Sequence, residues 1–207
     1  MPDGINRPIA GVVLAAGLST RMGRNKLLLE LGGRTLVRRA VETALAAGLG
    51  PVLVVVGHEE ALVRAAVAGL RCTPVPNPEH ARGMNTSLRA GIAAVPEGAA
   101  GAVVLLGDMP FTTPAMIAAL VERFGAGGAP LVLSTYEGVV APPILYGAAL
   151  FPELRALGAE VCGKSVVKRH RAEALEVAWP APALTDLDRP DDLERARALL
   201  GAQLEAS

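Results

Sequence analysis

Residues 9–15, 51–56 and 102–106 are almost wholly apolar, with no polar residue at alternate positions. A strand of that kind has to be covered on both faces, which helices on either side of a parallel sheet provide. The intervening stretches fit that demand. Residues 35–47, which end at Gly48, have helical spacing, as do residues 59–68, 86–95 and 114–124, the last with Pro114 in its first turn. Residues 72–75 and 131–134 read as further short strands. Strands alternating with helices of this length predict an α/β fold, a mostly parallel sheet with right-handed crossovers, as one domain over residues 1–207. The last third is less regular. Residues 139–146 are apolar but broken by Pro142-Pro143 and read as an edge or cover segment. Residues 148–157 and 163–174 look helical, and residues 190–200 form a closing helix.

Ligands of such sheets bind beyond the carboxyl ends of the strands. The first strand stops at Gly17, and a loop of small residues follows with Ser19, Thr20, Arg21 and Lys26. Glycine lets the backbone approach a ligand closely, and two cations supply charge for phosphate oxygens. The loop is neither G-x-G-x-x-G nor G-x-x-x-x-G-K-[ST]. Asn77 and Gly107-Asp108 also follow strands, so these segments and the Gly17 loop are expected on one rim.

Asp108, held at a strand end, suits Mg²⁺, which takes one or two protein carboxylates beside substrate phosphates; the plainer alternative is an Asp that opens a turn before Pro110. Asp186 and Asp188 alternate along an extended segment and offer the second carboxylate, although Asp188 also suits the cap of the helix that Pro190 begins. Asp188 is the expected second ligand and Asp186 its rival. Gly83 permits a close backbone approach, and either Thr86 or Ser87 could bond a base or ribose, the other serving as a cap. His58 reads as a cap or surface residue. Residues 158–165 spell G-x-x-x-x-G-K-S, yet the preceding residues are helical in pattern, which argues against a phosphate loop.

Half of the chain, 51%, is apolar, and twenty basic residues balance twenty acidic ones. Such a chain has no global field to hold nucleic acid or an anionic membrane, so a polyanionic ligand must be met by local cations. No apolar run reaches the length of a membrane span, and the N-terminus lacks a signal-peptide pattern. Cys72 and Cys162 make neither a metal cluster nor a disulfide framework, and a reducing cytoplasm is the expected compartment.

The Leu14–Lys26 region resembles the LAAG-x-S-x-R-M-G-x-x-K signature of MobA-like nucleotidyltransferases. With Leu27-Leu28-Leu29 and Gly32-Gly33 it looks most like the molybdenum cofactor cytidylyltransferases. Gly107-Asp108-Met109-Pro110 is similar to the Gly-Asp-x-Pro that carries the metal-binding Asp there. Residues 186–193 resemble the closing D-x-D-T-P-E-D-L, with Arg189 for Thr and Asp191 for Glu. Residues 76–91 resemble N-P…G-M-x-x-S-L-x-x-G-I. Where the family usually has G-D-x-G-A-R, this chain has Ala159, Glu160, Cys162, Gly163 and Lys164, which leaves the acceptor open.

The resemblance implies a three-layer Rossmann-like fold of the glycosyltransferase-A type. It implies transfer of CMP from CTP to the terminal phosphate of molybdopterin, with release of pyrophosphate. Arg21, Lys26 and Asp108 would be catalytic. Leu14, Ala15, Ala16, Gly17, Ser19, Asn77, Gly83 and Ser87 would hold the nucleotide, and Asp108 and Asp188 would bind Mg²⁺. The expected partners are CTP, a phosphorylated acceptor such as molybdopterin and a molybdoenzyme, with no nucleic acid and no membrane. Alternatives are a GTP-using guanylyltransferase, a transferase acting on a sugar phosphate or another phosphorylated acceptor, and a non-enzymatic molybdoenzyme maturation partner.

Overall fold

A computed structural model describes residues 7–19, 22–158, 163–185, 187 and 190–205. Its strands are β1 (Ile9–Ala15), β2 (Glu30–Leu31), β3 (Arg34–Thr35), β4 (Val52–Val56), β5 (Cys72–Pro76), β6 (Gly101–Leu106), β7 (Leu131–Tyr136), β8 (Val139–Gly147) and β9 (Leu175–Trp179). The helices are α1 (Leu36–Ala46), α2 (Glu60–Ala66), α3 (Met84–Ala93), α4 (Pro114–Gly127), α5 (Phe151–Arg155), α6 (Gly163–Arg169) and α7 (Pro190–Glu205). Seven strands form one sheet in the order β5-β4-β1-β6-β8-β7-β9. Every neighbouring pair is parallel except β6–β8 and β7–β8, so β8 alone of the seven runs against the rest.

The alternation of side chains along β1 divides the core. Val12 and Leu14 face a cluster with Leu88 and Ile92 of α3 and Leu154 of α5. Val13 and Ala15 face the opposite layer, with Val37 and Val41 of α1, Val63 of α2 and Leu120 of α4. The sheet is therefore buried on both faces, as its unbroken apolar runs require. Gly91 is what lets α3 lie close: a Cβ there would stand 2.4 Å from Val12 Cγ1 and 2.9 Å from Val55 Cγ2. Among the described residues, no helix is long and apolar enough to cross a membrane.

The last third departs from expectation in two places. Residues 139–146 are not an edge or cover segment: they lie in β8, between β6 and β7. The pairing steps from Leu133↔Ile144 to Ser134↔Ala141, so Pro142 and Pro143 fall in a bulge where no ladder N–H is needed. Side chains of β7 occupy the carbonyls that the bulge turns aside. Ser134 Oγ donates to Pro143 O at 2.7 Å, and the Tyr136 hydroxyl donates to Pro142 O at 2.8 Å. Burial pushes the Tyr136 phenol up to about 12, which keeps it a donor. The helix expected over residues 163–174 stops at Arg169, and after a 3-10 turn the chain enters β9 at the far edge of the sheet.

The short β2–β3 hairpin turns through Gly32 and Gly33 with φ of 60° and 74°, a left-handed pair that suits glycine. Leu31 of this hairpin, Met22, Phe111 and Leu187 pack with Leu193 and Ala196 of α7, so the closing helix rests on the hairpin and the first loop.

Candidate active site

Because β1, β4, β5 and β6 are parallel, the loops leaving Ala15, Val56, Pro76 and Leu106 share one rim of the sheet. There the loops after β1, β5 and β6 border a cleft of about 350 Å³. The β1 loop contributes Ala16, Gly17, Leu18, Ser19 and Lys26, the β6 loop contributes Asp108, and the segment after β5 contributes His80, Ala81, Gly83, Met84 and Ser87. The expected convergence of three strand-end segments is therefore observed.

The charged centre of the cleft is a pair. Lys26 Nζ lies 2.5 Å from Asp108 Oδ2, each side chain only 15% exposed. Local structure fixes the lysine. Asn25 caps a 3-10 turn over Lys26–Leu28 by accepting from Leu27 N at 3.1 Å, and the Lys26 N–H donates to Ser19 Oγ at 3.1 Å. Leu27 anchors the turn in the core. Ser19 reaches this bond through a left-handed backbone, φ 52°, a conformation that costs a non-glycine residue about 1 kcal/mol. Its hydroxyl hydrogen remains available for a ligand. The two loops close up because residue 107 is glycine: a Cβ there would stand 3.0 Å from Leu27 Cδ2 and 3.3 Å from Leu14 O.

Gly17 is different. Among the described residues, a Cβ added there would meet nothing within 4 Å, and its φ is outside the left-handed region. Neither the described neighbours nor the backbone demands glycine at this position, which borders the cleft.

The wall after β5 is built by Asn77, which is 3% exposed and does not line the cleft. Its amide donates to Thr86 Oγ1 and Ser87 Oγ, both at 2.9 Å, and its Oδ1 accepts from Glu79 N at 3.0 Å. Asn77 thus stands behind the wall and holds it. Of the two hydroxyls, Thr86 turns back to Gly83 O at 2.8 Å and Ser87 borders the cleft. Neither caps the helix, because α3 already begins at Met84. Leu14 borders the cleft, whereas Ala15 faces the α1 side of the sheet. Arg21, Asp186 and Asp188 lie outside the described residues. His80, Ala81, Leu18 and Met84 were not expected at the site. His80 could have been suspected from its place between Asn77 and Gly83.

The G-x-x-x-x-G-K-S string has no strand before it. Helix α5 precedes it, residues 159–162 lie outside the described residues, and Gly163 begins α6 with its N–H donated to Asn85 Oδ1 at 3.0 Å.

Residues 11–174 match the MobA-like NTP transferase domain. The chain belongs to that family. This MobA-like protein is 31% identical over 199 residues to the purine catabolism protein PucB of Bacillus subtilis, covering 91% of this chain and 96% of PucB. Among solved structures it superposes on Rv0371c of Mycobacterium tuberculosis with a TM-score of 0.83 and 28% identity, over 94% of this chain and 100% of that one. Rv0371c has also been crystallised with manganese. The molybdopterin-guanine dinucleotide biosynthesis protein A of Archaeoglobus fulgidus shares the fold, with a TM-score of 0.69 and 18% identity over 94% of this chain and 100% of that one.

The donor set suits a hard divalent cation. Asp108 offers one carboxylate, and among the described residues no group of three or more His, Cys, Asp or Glu side chains converges. Such a site leaves most of the coordination shell to phosphate oxygens and water, which is how Mg²⁺ is usually bound beside a nucleotide.

Proposed function

We propose that this nucleotidyltransferase moves CMP from CTP to the terminal phosphate of molybdopterin and releases pyrophosphate. The observation that carries the reading is the Lys26–Asp108 pair in a cleft that Gly17 also borders. A lysine braced by Ser19 and Asn25 presents a fixed positive charge, and the open face of Gly17 lets phosphate oxygens approach the backbone.

In the reaction an acceptor phosphate oxygen attacks the α-phosphorus of CTP, a new P–O bond forms, and the α–β bridge bond breaks to expel pyrophosphate. An acceptor phosphate is already ionised at neutral pH, so no side chain has to act as general base. The protein's part is alignment and charge stabilisation. Lys26 neutralises charge that grows on the transferring and departing phosphates, and Arg21 is assigned the same task. Asp108, with Asp188, would hold Mg²⁺, and the chemistry that ion would supply is positive charge beside the phosphates. Ser19 and Ser87 offer hydroxyls to the nucleotide, and Asn77 keeps Ser87 in place.

The test is pyrophosphate release by the purified protein from each of the four NTPs with Mg²⁺, with and without molybdopterin. Release that needs both CTP and molybdopterin supports the reading. Release that needs a different acceptor keeps the class and changes the substrate.

A further inference from the structure

We propose that His80 selects the nucleobase by accepting a hydrogen bond from an exocyclic amine, so that the cleft takes triphosphates of amino-bearing bases. This rests on the reading of the cleft as a nucleotide site. His80 Nδ1 lies 3.1 Å from Asn77 O. A carbonyl can only accept, so Nδ1 carries the proton and the neutral ring has Nε2 as an acceptor.

The ring is seated by the backbone beside it. A Cβ at Gly57 would stand 2.6 Å from His80 Cβ and Cγ and 2.9 Å from Nδ1, so only glycine leaves room for the imidazole. The Nδ1 edge is thus taken up by Gly57 and Asn77, His80 borders the cleft, and the other ring nitrogen, Nε2, is the one assigned to the ligand. Asn77 is itself held by Thr86, Ser87 and Glu79, so the acceptor is carried on a braced wall.

Position supports the assignment. β5, which leads to His80, stands two places from β1 in the sheet, about 10 Å at the usual strand spacing. Phosphates held at Lys26 and Ser19 would therefore extend the nucleoside toward the end of β5. There an Nε2 acceptor pairs with the amine of cytosine or guanine and opposes the carbonyl that uracil presents at the same place. A site built to bond one group rejects an analogue lacking it, because its own polar atom is left unpaired.

The experiment is calorimetric titration of the magnesium salts of CTP, UTP, GTP and ITP against the wild type, His80→Phe and His80→Gln. UTP and ITP replace or lack the amine. In the wild type, CTP is expected to bind about tenfold more tightly than UTP, or GTP than ITP, the value of one hydrogen bond to an otherwise unpaired acceptor. His80→Phe keeps a ring against Gly57 and should bring that ratio to about one by weakening the amino-bearing ligand. His80→Gln carries a carboxamide that either accepts or donates, so it should bind CTP and UTP alike while retaining affinity. A merely structural histidine would not produce that change of preference.

A wild-type ratio near one, or an unchanged ratio in a folded His80→Phe or His80→Gln protein, overturns the proposal. If His80→Phe does not fold, the glutamine variant decides. Triphosphates that all bind equally remove the role of His80 and leave the nucleotide site standing. A wild type that binds none of them removes both.

Discussion

Lys26 Nζ and Asp108 Oδ2 approach to 2.5 Å across two loops that leave neighbouring strands, β1 and β6. The cation assigned to the phosphates and the carboxylate assigned to the metal are thus each other's partners. On the proposed reading, loading the site would exchange partners: the lysine would turn to phosphate oxygens and the carboxylate would be free to hold a divalent ion.

Lys26→Ala is expected to lower turnover by about 100-fold or more, the usual cost of losing a preorganised charge in an active site. The fold should survive, because Leu27 and the Asn25 cap hold the turn without the ammonium group. Steady-state pyrophosphate release and far-UV circular dichroism check both halves. Near-normal release would remove Lys26 from the mechanism.

Asp108→Asn should abolish the metal dependence of nucleotide binding, since a neutral amide is a poor ligand for a hard cation. Titrations of CTP with and without Mg²⁺ against the variant and the wild type provide the check. An unchanged response to Mg²⁺ would contradict the metal role of Asp108.

Much of this arrangement was legible in the chain. Unbroken apolar runs called for a doubly covered parallel sheet, and that topology placed the Gly17, Asn77 and Asp108 segments on one rim. Proline misled at residues 142–143, because a bulge with Ser134 and Tyr136 as surrogate donors admits prolines to the interior of a sheet. The edge strand β9 was missed: its five residues alternate between half-buried and exposed, and they follow a helix without a strong turn signal. Asn77 was legible as a residue of the site region, but not its direction. Whether an amide faces a ligand or braces two hydroxyls depends on a helix that starts seven residues later.

Asn77→Ala should destabilise the protein by about 2–3 kcal/mol, because Thr86 and Ser87 lose a buried donor. For a chain of this size that corresponds to a Tm lower by roughly 5–10 °C. Ser87→Ala breaks only one of these bonds, so it should cost less, about 1 kcal/mol, and should weaken CTP binding. Differential scanning calorimetry of the two variants separates the brace from the wall. A Tm loss in Ser87→Ala as large as that in Asn77→Ala would contradict this division.

Two glycines should respond in opposite ways. Gly91→Ala drives a methyl against Val12 and Val55, an overpacking expected to cost about 1–3 kcal/mol. Gly17→Ala meets nothing among the described residues and should keep its Tm, but its methyl is expected to enter the cleft and weaken CTP binding. Thermal melts with and without MgCTP read both effects, since a ligand bound only by the native state raises Tm. A Gly17→Ala protein with a full CTP-induced shift would show that nothing approaches the backbone there.

The most direct measurement of where the nucleotide sits compares two lysines. Lys26 is built into the cleft, whereas Lys164 is exposed on α6, within the string that spells a phosphate loop. CTP is titrated calorimetrically against Lys26→Ala and Lys164→Ala in the presence of Mg²⁺. Lys26→Ala should lose at least tenfold in affinity, and Lys164→Ala should stay within about threefold of the wild type, under about 1 kcal/mol. Loss of CTP binding in Lys164→Ala with retention in Lys26→Ala would place the nucleotide site at the wrong end of the chain.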